Sequence, residues 1–205
     1  ALAGRDVSAF WPGAALWRHY KHTDFLIARG GDEYLPVAPD PLTWFAKLKA
    51  ILRKAAERIV LPGNGAFDAC MKNLRASGLV PVLEVKVREQ HTPLLGVCVG
   101  AQMLGHSSEE GVEPGLGWID MTVQRFPALP NLRVPHMGWN QVRAAAPAHP
   151  LLEGMEVDAR FYFVHSYLMV PSDPGDVLLR AEYGIDFGAE VEPGQAIARR
   201  VDHDE

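Results

Sequence analysis

Apolar positions along this chain follow two rhythms, and the rhythm changes near the middle. In the first half, short apolar runs alternate with stretches of helical spacing, the pattern of βαβ units. Val7–Trp11 can form a first strand with Gly13 in the turn after it, and Asp24–Ala28 forms a better one, closed by Gly30-Gly31. Asp40-Pro41 reads as a helix start, with Trp44, Leu48, Ile51, Leu52 and Ala55 recurring on one face. Arg58–Leu61 is a strand that runs into Pro62-Gly63-Asn64-Gly65. Phe67, Cys70, Met71 and Leu74 give the next helix its stripe, and Gly78 ends it. Residues 80–90 fit helix or strand; lying between two parallel strands they are expected to be a helical crossover. Leu94–Val97 is a buried strand, and Gln102-Met103-Leu104 opens a helix. The second half is strand-rich, with segments near 117–125, 139–144, 158–170, 177–182, 187–191 and 195–201. No repeat or linker separates the halves, so residues 1–205 are expected to form a single α/β domain, more antiparallel in its later portion.

Composition narrows the function classes. With 48% hydrophobic residues in 205, a full core needs neither disulfides nor metal. Two cysteines make no disulfide framework, no secretory signal opens the sequence, and no apolar run reaches membrane-spanning length. A cytoplasmic setting without membrane contact is the expectation. A net charge of -5 speaks against nucleic acid as partner. Lys47, Lys49, Arg53, Lys54 and Arg58 are the one basic concentration, read as the solvated face of a helix.

The candidate chemistry centres on Gly96-Val97-Cys98-Val99-Gly100. Two readings fit it. One is a nucleophile elbow, a sharp strand-to-helix turn that lifts a reactive thiol above the sheet. The other is a buried strand cysteine between glycines used for packing. After the Arg58–Leu61 strand, Gly63 and Gly65 leave backbone N–H groups able to face a ligand, though an ordinary turn fits the same residues. Cys70 falls on a core stripe. A cysteine nucleophile needs a base and a group to orient it. His203 precedes Glu205 by two residues, which on an extended strand places both on one side; Asp202-His203-Asp204-Glu205 equally fits a polar tail. His136 and His165 read as satisfied structural histidines, and no close-spaced ligand pairs support a metal site.

Taken together the segments resemble the class I (triad) glutamine amidotransferases, and within them the glutaminase subunits of imidazole glycerol phosphate synthase. The resemblance runs from about Ile59 to Ala189 and rests on Leu61-Pro62-Gly63-Asn64-Gly65-Ala66-Phe67, the elbow, Ser108-Glu109-Glu110-Gly111 and Pro114-Gly115-Leu116-Gly117. It continues through Val134-Pro135-His136-Met137-Gly138-Trp139-Asn140, Phe161–Tyr167 and Tyr183-Gly184. Residues 1–57 match poorly, and the chain departs from the family pattern after about 198.

The resemblance implies a flavodoxin-like, mostly parallel central sheet with flanking helices and an antiparallel strand-rich second half. It implies a triad of Cys98, His203 and Glu205, and an oxyanion hole from the backbone N–H groups of Asn64 and Val99. Gly63, Gly65, Gln102, Glu110, Ser166 and Tyr167 would bind L-glutamine. It implies no cofactor. The ammonia released would pass to a cyclase subunit, in a heterodimer that makes imidazole glycerol phosphate and AICAR in histidine biosynthesis. A competing reading, prompted by Arg199–Asp202 and Asp204 in place of the family's Gly-Val-Gln-Phe and proline, is a non-catalytic partner of the same cyclase. A generic cysteine hydrolase would share the elbow but leave both His-containing segments unexplained.

Overall fold

Strand β2 (Arg58–Gly63) lies parallel to β3 (Leu94–Cys98), in register from Ile59 opposite Leu94 to Gly63 opposite Cys98. The computed structural model describes residues 27–29, 56–192 and 196–199, with side chains over 56–192. The strand expected at Val7–Trp11, the helix expected from Asp40, and the terminal His203 and Glu205 lie outside the described residues. A parallel pair needs a crossover, and residues 67–89 supply it as helix α1 (Phe67–Ala76), helix α2 (Val80–Glu84) and a π-helical turn, Val85–Glu89. Helix α1 forms because Phe67, Cys70, Met71 and Leu74 fall on one buried face, with Asp68 in the first turn and Arg75 in the last to complement the dipole. It stops at Ser77, where Gly78 takes φ +65°.

The sheet extends both ways from β3. On one side, β1 (Ile27–Arg29) pairs antiparallel with β2. On the other, β11 (Ala196–Arg199) pairs parallel with β3 and antiparallel with β10 (Ile185–Val191). Beyond β10 come β8 (Tyr167–Pro171), β5 (Met121–Arg125) and the short β4 (Ser107–Ser108). A second layer of pairing grows from β9 (Val177–Tyr183), which forms a hairpin with β10 and carries β6 (His136–Ala144), itself paired with β7 (Arg160–His165). Parallel pairing thus surrounds the elbow strand and antiparallel pairing dominates the second half, as expected.

Two expected strands need correction. The 158–170 segment is two strands, broken at Ser166, because β7 pairs with β6 whereas β8 pairs with β5 and β10; one straight strand cannot serve both partners. The 117–125 segment begins only at Met121, since Leu116 and Trp118 donate their N–H groups back to the carbonyls of Met103 and Leu104.

Two apolar clusters form the core among the described residues. The first joins α1 and α2 to β2 and β3, with Phe67, Met71, Leu83, Leu94 and Leu104 each wholly buried. The second packs the antiparallel strands around Phe163, Leu179 and Phe187. Full burial of each large side chain contributes about 1.5–3 kcal/mol, so the first cluster firmly seats the strand that carries Cys98.

Candidate active site

Cys98 ends β3 and stands immediately before helix α3 (Val99–Gln102), with φ +54° and ψ -124°. A non-glycine residue rarely adopts positive φ, and such a conformation persists only where the surroundings enforce it. Here three glycines do so. A Cβ on Gly96 would lie 2.6 Å from the Cα of Ala101; one on Gly100 would strike the Leu61 carbonyl, and one on Gly63 the Gly100 nitrogen. Strand β2, strand β3 and helix α3 therefore meet backbone to backbone. Cys98 is partly exposed on a strand-to-helix turn rather than enclosed within a strand. Cys70, 1% exposed, is core as expected, its thiol 3.7 Å from the carbonyl oxygen of Asn64.

The two candidate oxyanion donors flank this turn. Val99 is the first residue of α3, so its N–H takes no part in the intrahelical ladder. Asn64 follows Gly63, the residue paired with Cys98 across the neighbouring strand, a spacing of about 4.8 Å. Gly65 carries φ +116° with open space around its Cα, a backbone state that favours glycine.

Of the candidate substrate residues, Gln102 lies one helical turn from the elbow, is 3% exposed, and has no hydrogen-bond partner for Oε1 among the described residues. Glu110 reaches across to α1, where Oε2 accepts the Phe67 N–H at 2.9 Å. The helix's own N-cap residue, Ala66, supplies no side-chain cap, so a residue distant in sequence does this work. Ser166 accepts the Phe126 N–H at 3.0 Å through its carbonyl, and Tyr167 pairs with Arg125, whose guanidinium lies 5.9 Å from the ring centroid. In sheet order Tyr167 sits three strands from Cys98, at about 4.8 Å per strand.

His136 and His165 are both buried, with Nδ1 of His136 2.8 Å from Nε2 of His165. Nδ1 of His165 lies 3.0 Å from the Tyr167 carbonyl. A carbonyl only accepts, so Nδ1 of His165 carries the proton; in the neutral pair Nε2 then accepts from His136 Nδ1–H. His136 is stacked between Phe163 and Tyr183, at centroid separations of 4.9 and 3.9 Å. The structural role expected for both imidazoles matches this setting.

Sequence reasoning did not single out Asp68. Its Oδ1 accepts the N–H groups of Val112 and Glu113 at 3.0 and 2.9 Å, and Oδ2 lies 3.2 Å from Val112 N. The Glu113 and Val112 N–H groups hold its carboxyl below the usual carboxylate range. Among the described residues no group of three or more His, Cys, Asp or Glu side chains is placed to hold a metal, and no helix is long and apolar enough to cross a membrane.

Comparison with known proteins gives a family. The profile for "Glutamine amidotransferase class-I" matches residues 35–190. "Imidazole glycerol phosphate synthase subunit HisH 2" of Pseudomonas aeruginosa is 57% identical over 136 residues, covering 66% of this chain and 67% of that protein. "Imidazole glycerol phosphate synthase subunit HisH" of Bdellovibrio bacteriovorus is 46% identical over 139 residues, 66% of this chain and 68% of its own. A crystal structure of a glutamine amidotransferase aligns over 68% of this chain and 67% of its own at 22% identity and a TM-score of 0.47. With the family profile spanning most of its length, this chain belongs to the class-I glutamine amidotransferases.

Proposed function

We propose that this chain is the glutaminase subunit of an imidazole glycerol phosphate synthase, hydrolysing L-glutamine to glutamate and ammonia for a cyclase subunit. The observation that carries the reading is the backbone of Cys98, held at φ +54° on a turn locked by Gly63, Gly96 and Gly100. The Cys98 thiolate attacks the carboxamide carbon of glutamine, and the N–H groups of Asn64 and Val99 receive the developing oxyanion. His203, held by Glu205, protonates the departing ammonia. It then draws a proton from water, which cleaves the glutamyl thioester and restores the thiol.

Support for the terminal histidine comes from β11. Its residue Arg199 pairs with Val97, so the chain arrives beside the elbow strand and runs towards its carboxyl end. The proposed base follows Arg199 by four residues, a separation of at most about 14 Å along the chain. Gln102 Oε1, buried without a partner among the described residues, suits an N–H donor on the amino-acid substrate, because an unpaired buried acceptor costs about 1–3 kcal/mol.

Support for a partner comes from the outer face of β6 and β7. Trp139 and Met137 are 66% and 59% exposed. Trp139 packs edge-on against Tyr162 at 5.6 Å, and Val164 stands opposite Met137. An exposed tryptophan backed by a half-buried tyrosine is the kind of side-chain pair that anchors protein interfaces, and the cyclase is its proposed occupant.

The test is ammonia release by the complex of this chain with its cyclase. Cys98→Ala removes the nucleophile and should abolish release while leaving the circular dichroism spectrum unchanged; undiminished release refutes the reading. The competing non-catalytic role is separated by a glutamine-analogue electrophile, which labels Cys98 far faster than it labels a free cysteine in solution if the triad assembles, and no faster if it does not.

A further inference from the structure

Resting on the glutaminase reading, we infer that Asp68 and Glu110 are positioning residues that fix the peptide bearing the Asn64 oxyanion donor. The two carboxylates form a reciprocal clasp between the start of α1 and residues 110–113. Glu110 leaves its own loop to cap Phe67 N–H, while Asp68 leaves the helix to accept Val112 and Glu113 N–H. The bond to Phe67 has no local substitute at the N-cap, because Ala66 has no capping side chain. Gly111 sits inside the clasp, where any Cβ would collide with the Asp68 carboxylate. The same loop is fastened to the far end of the helix: Arg75 reaches Glu113 Oε2 at 2.9 Å and the Pro114 carbonyl. It is then tied to the elbow region through Gly115 N to the His106 carbonyl and Leu116 N to the Met103 carbonyl.

The consequence falls on the short segment between β2 and α1. Its upstream end is fixed by the pairing of Gly63 with Cys98, and its downstream end is Phe67, held by Glu110. Asn64 lies between these anchors, its carbonyl facing the Cys70 thiol. A carboxylate has lone pairs beyond the one Phe67 engages, so a substrate ammonium bound by Glu110 shares a carboxylate with the anchor of the oxyanion segment. Substrate recognition and donor alignment are thereby coupled through Glu110, and Asp68 keeps the loop that carries Glu110 in place without touching substrate.

The test uses the complex with its cyclase and two variants of Asp68. Outright loss of an oxyanion donor costs about 10²–10³ in kcat, and misalignment is expected to cost only a part of that, about tenfold. Asp68→Ala should therefore lower kcat, and the rate at which a glutamine-derived chloroketone labels Cys98, by about tenfold. Alkylation by iodoacetamide passes through no oxyanion, so it should stay within about twofold of wild type. Asp68→Asn should recover most of the loss, since Oδ1 alone accepts both short bonds. Wild-type kcat in Asp68→Ala, equal slowing of both reagents, or an asparagine variant no better than alanine would each overturn the inference. A wild-type complex that releases no ammonia refutes the glutaminase reading itself, a different result from an active wild type that is indifferent to Asp68.

Discussion

Replacing Gly96 by alanine tests the packing that holds Cys98 out. The new methyl would lie 2.6 Å from the Cα, 2.9 Å from the nitrogen of Ala101, and 3.0 Å from the Gly100 oxygen. Relaxed carbon contacts sit at about 3.5–4.0 Å, so β3 and α3 must part by about 1 Å. Overpacking costs about 1–3 kcal/mol; every atom struck here is main chain and cannot rotate aside, which places the cost near the upper figure. In a chain of this size each kcal/mol lowers Tm by about 2–4 °C, giving an expected fall of roughly 6–12 °C by calorimetry. Gly188→Ala in β10 is the control, since the atoms nearest its methyl belong to the Val177 and Val191 side chains, at 3.4 Å and beyond; its effect should stay within about 1 kcal/mol. If Gly96→Ala melts with wild type, the helix does not rest on the strand and the account of how Cys98 is held at positive φ fails.

The remaining predictions concern the surface and the acid limb. Trp139→Ala should weaken binding to the cyclase by about 2 kcal/mol, roughly thirtyfold in Kd, with the melting of the isolated subunit unchanged because the side chain is mostly exposed; equal affinity by titration calorimetry would remove the strip from the interface. Glu192 has its carboxyl raised above the usual range, chiefly by burial and against the pull of His149. Its Oε2 lies 3.2 Å from His149 Nε2 but out of line for a hydrogen bond. A raised carboxyl binds protons more tightly folded than unfolded, so its contribution is present below the ordinary carboxylate range and is lost as pH rises through the folded pKa. Glu192→Gln should flatten that decline in urea unfolding across the acid range, and an unchanged slope would contradict the assignment.

What could be read from the chain alone was whatever depends on near neighbours in sequence. Gly96 and Gly100 bracket Cys98 at a spacing that suits a tight turn as well as a packed strand, and the Phe67, Cys70, Met71, Leu74 stripe fixes the buried face of α1. Contacts between distant segments left no such trace. Asp68 looks like an ordinary first-turn acid, yet its partners lie more than forty residues away. The break at Ser166 escaped notice because Arg160–Pro171 has strand-forming composition throughout; only the competing demands of two partner strands end β7 and begin β8.

The placement of β11 between β3 and β10 also bears on biosynthesis. A nascent chain can pair β2 with β3 early, but the other flank of β3 stays an open edge until residues 196–199 have left the ribosome as well. Open edges invite pairing with foreign strands, and late closure across so many residues is slow. Loss of residues 196–199, by nicking or premature termination, would cut the sheet into two pieces, one carrying the nucleophile and the other the tryptophan strip. Such a fragment should be captured by chaperones or precipitate, and its Cys98 would rest on a strand whose other edge lies open.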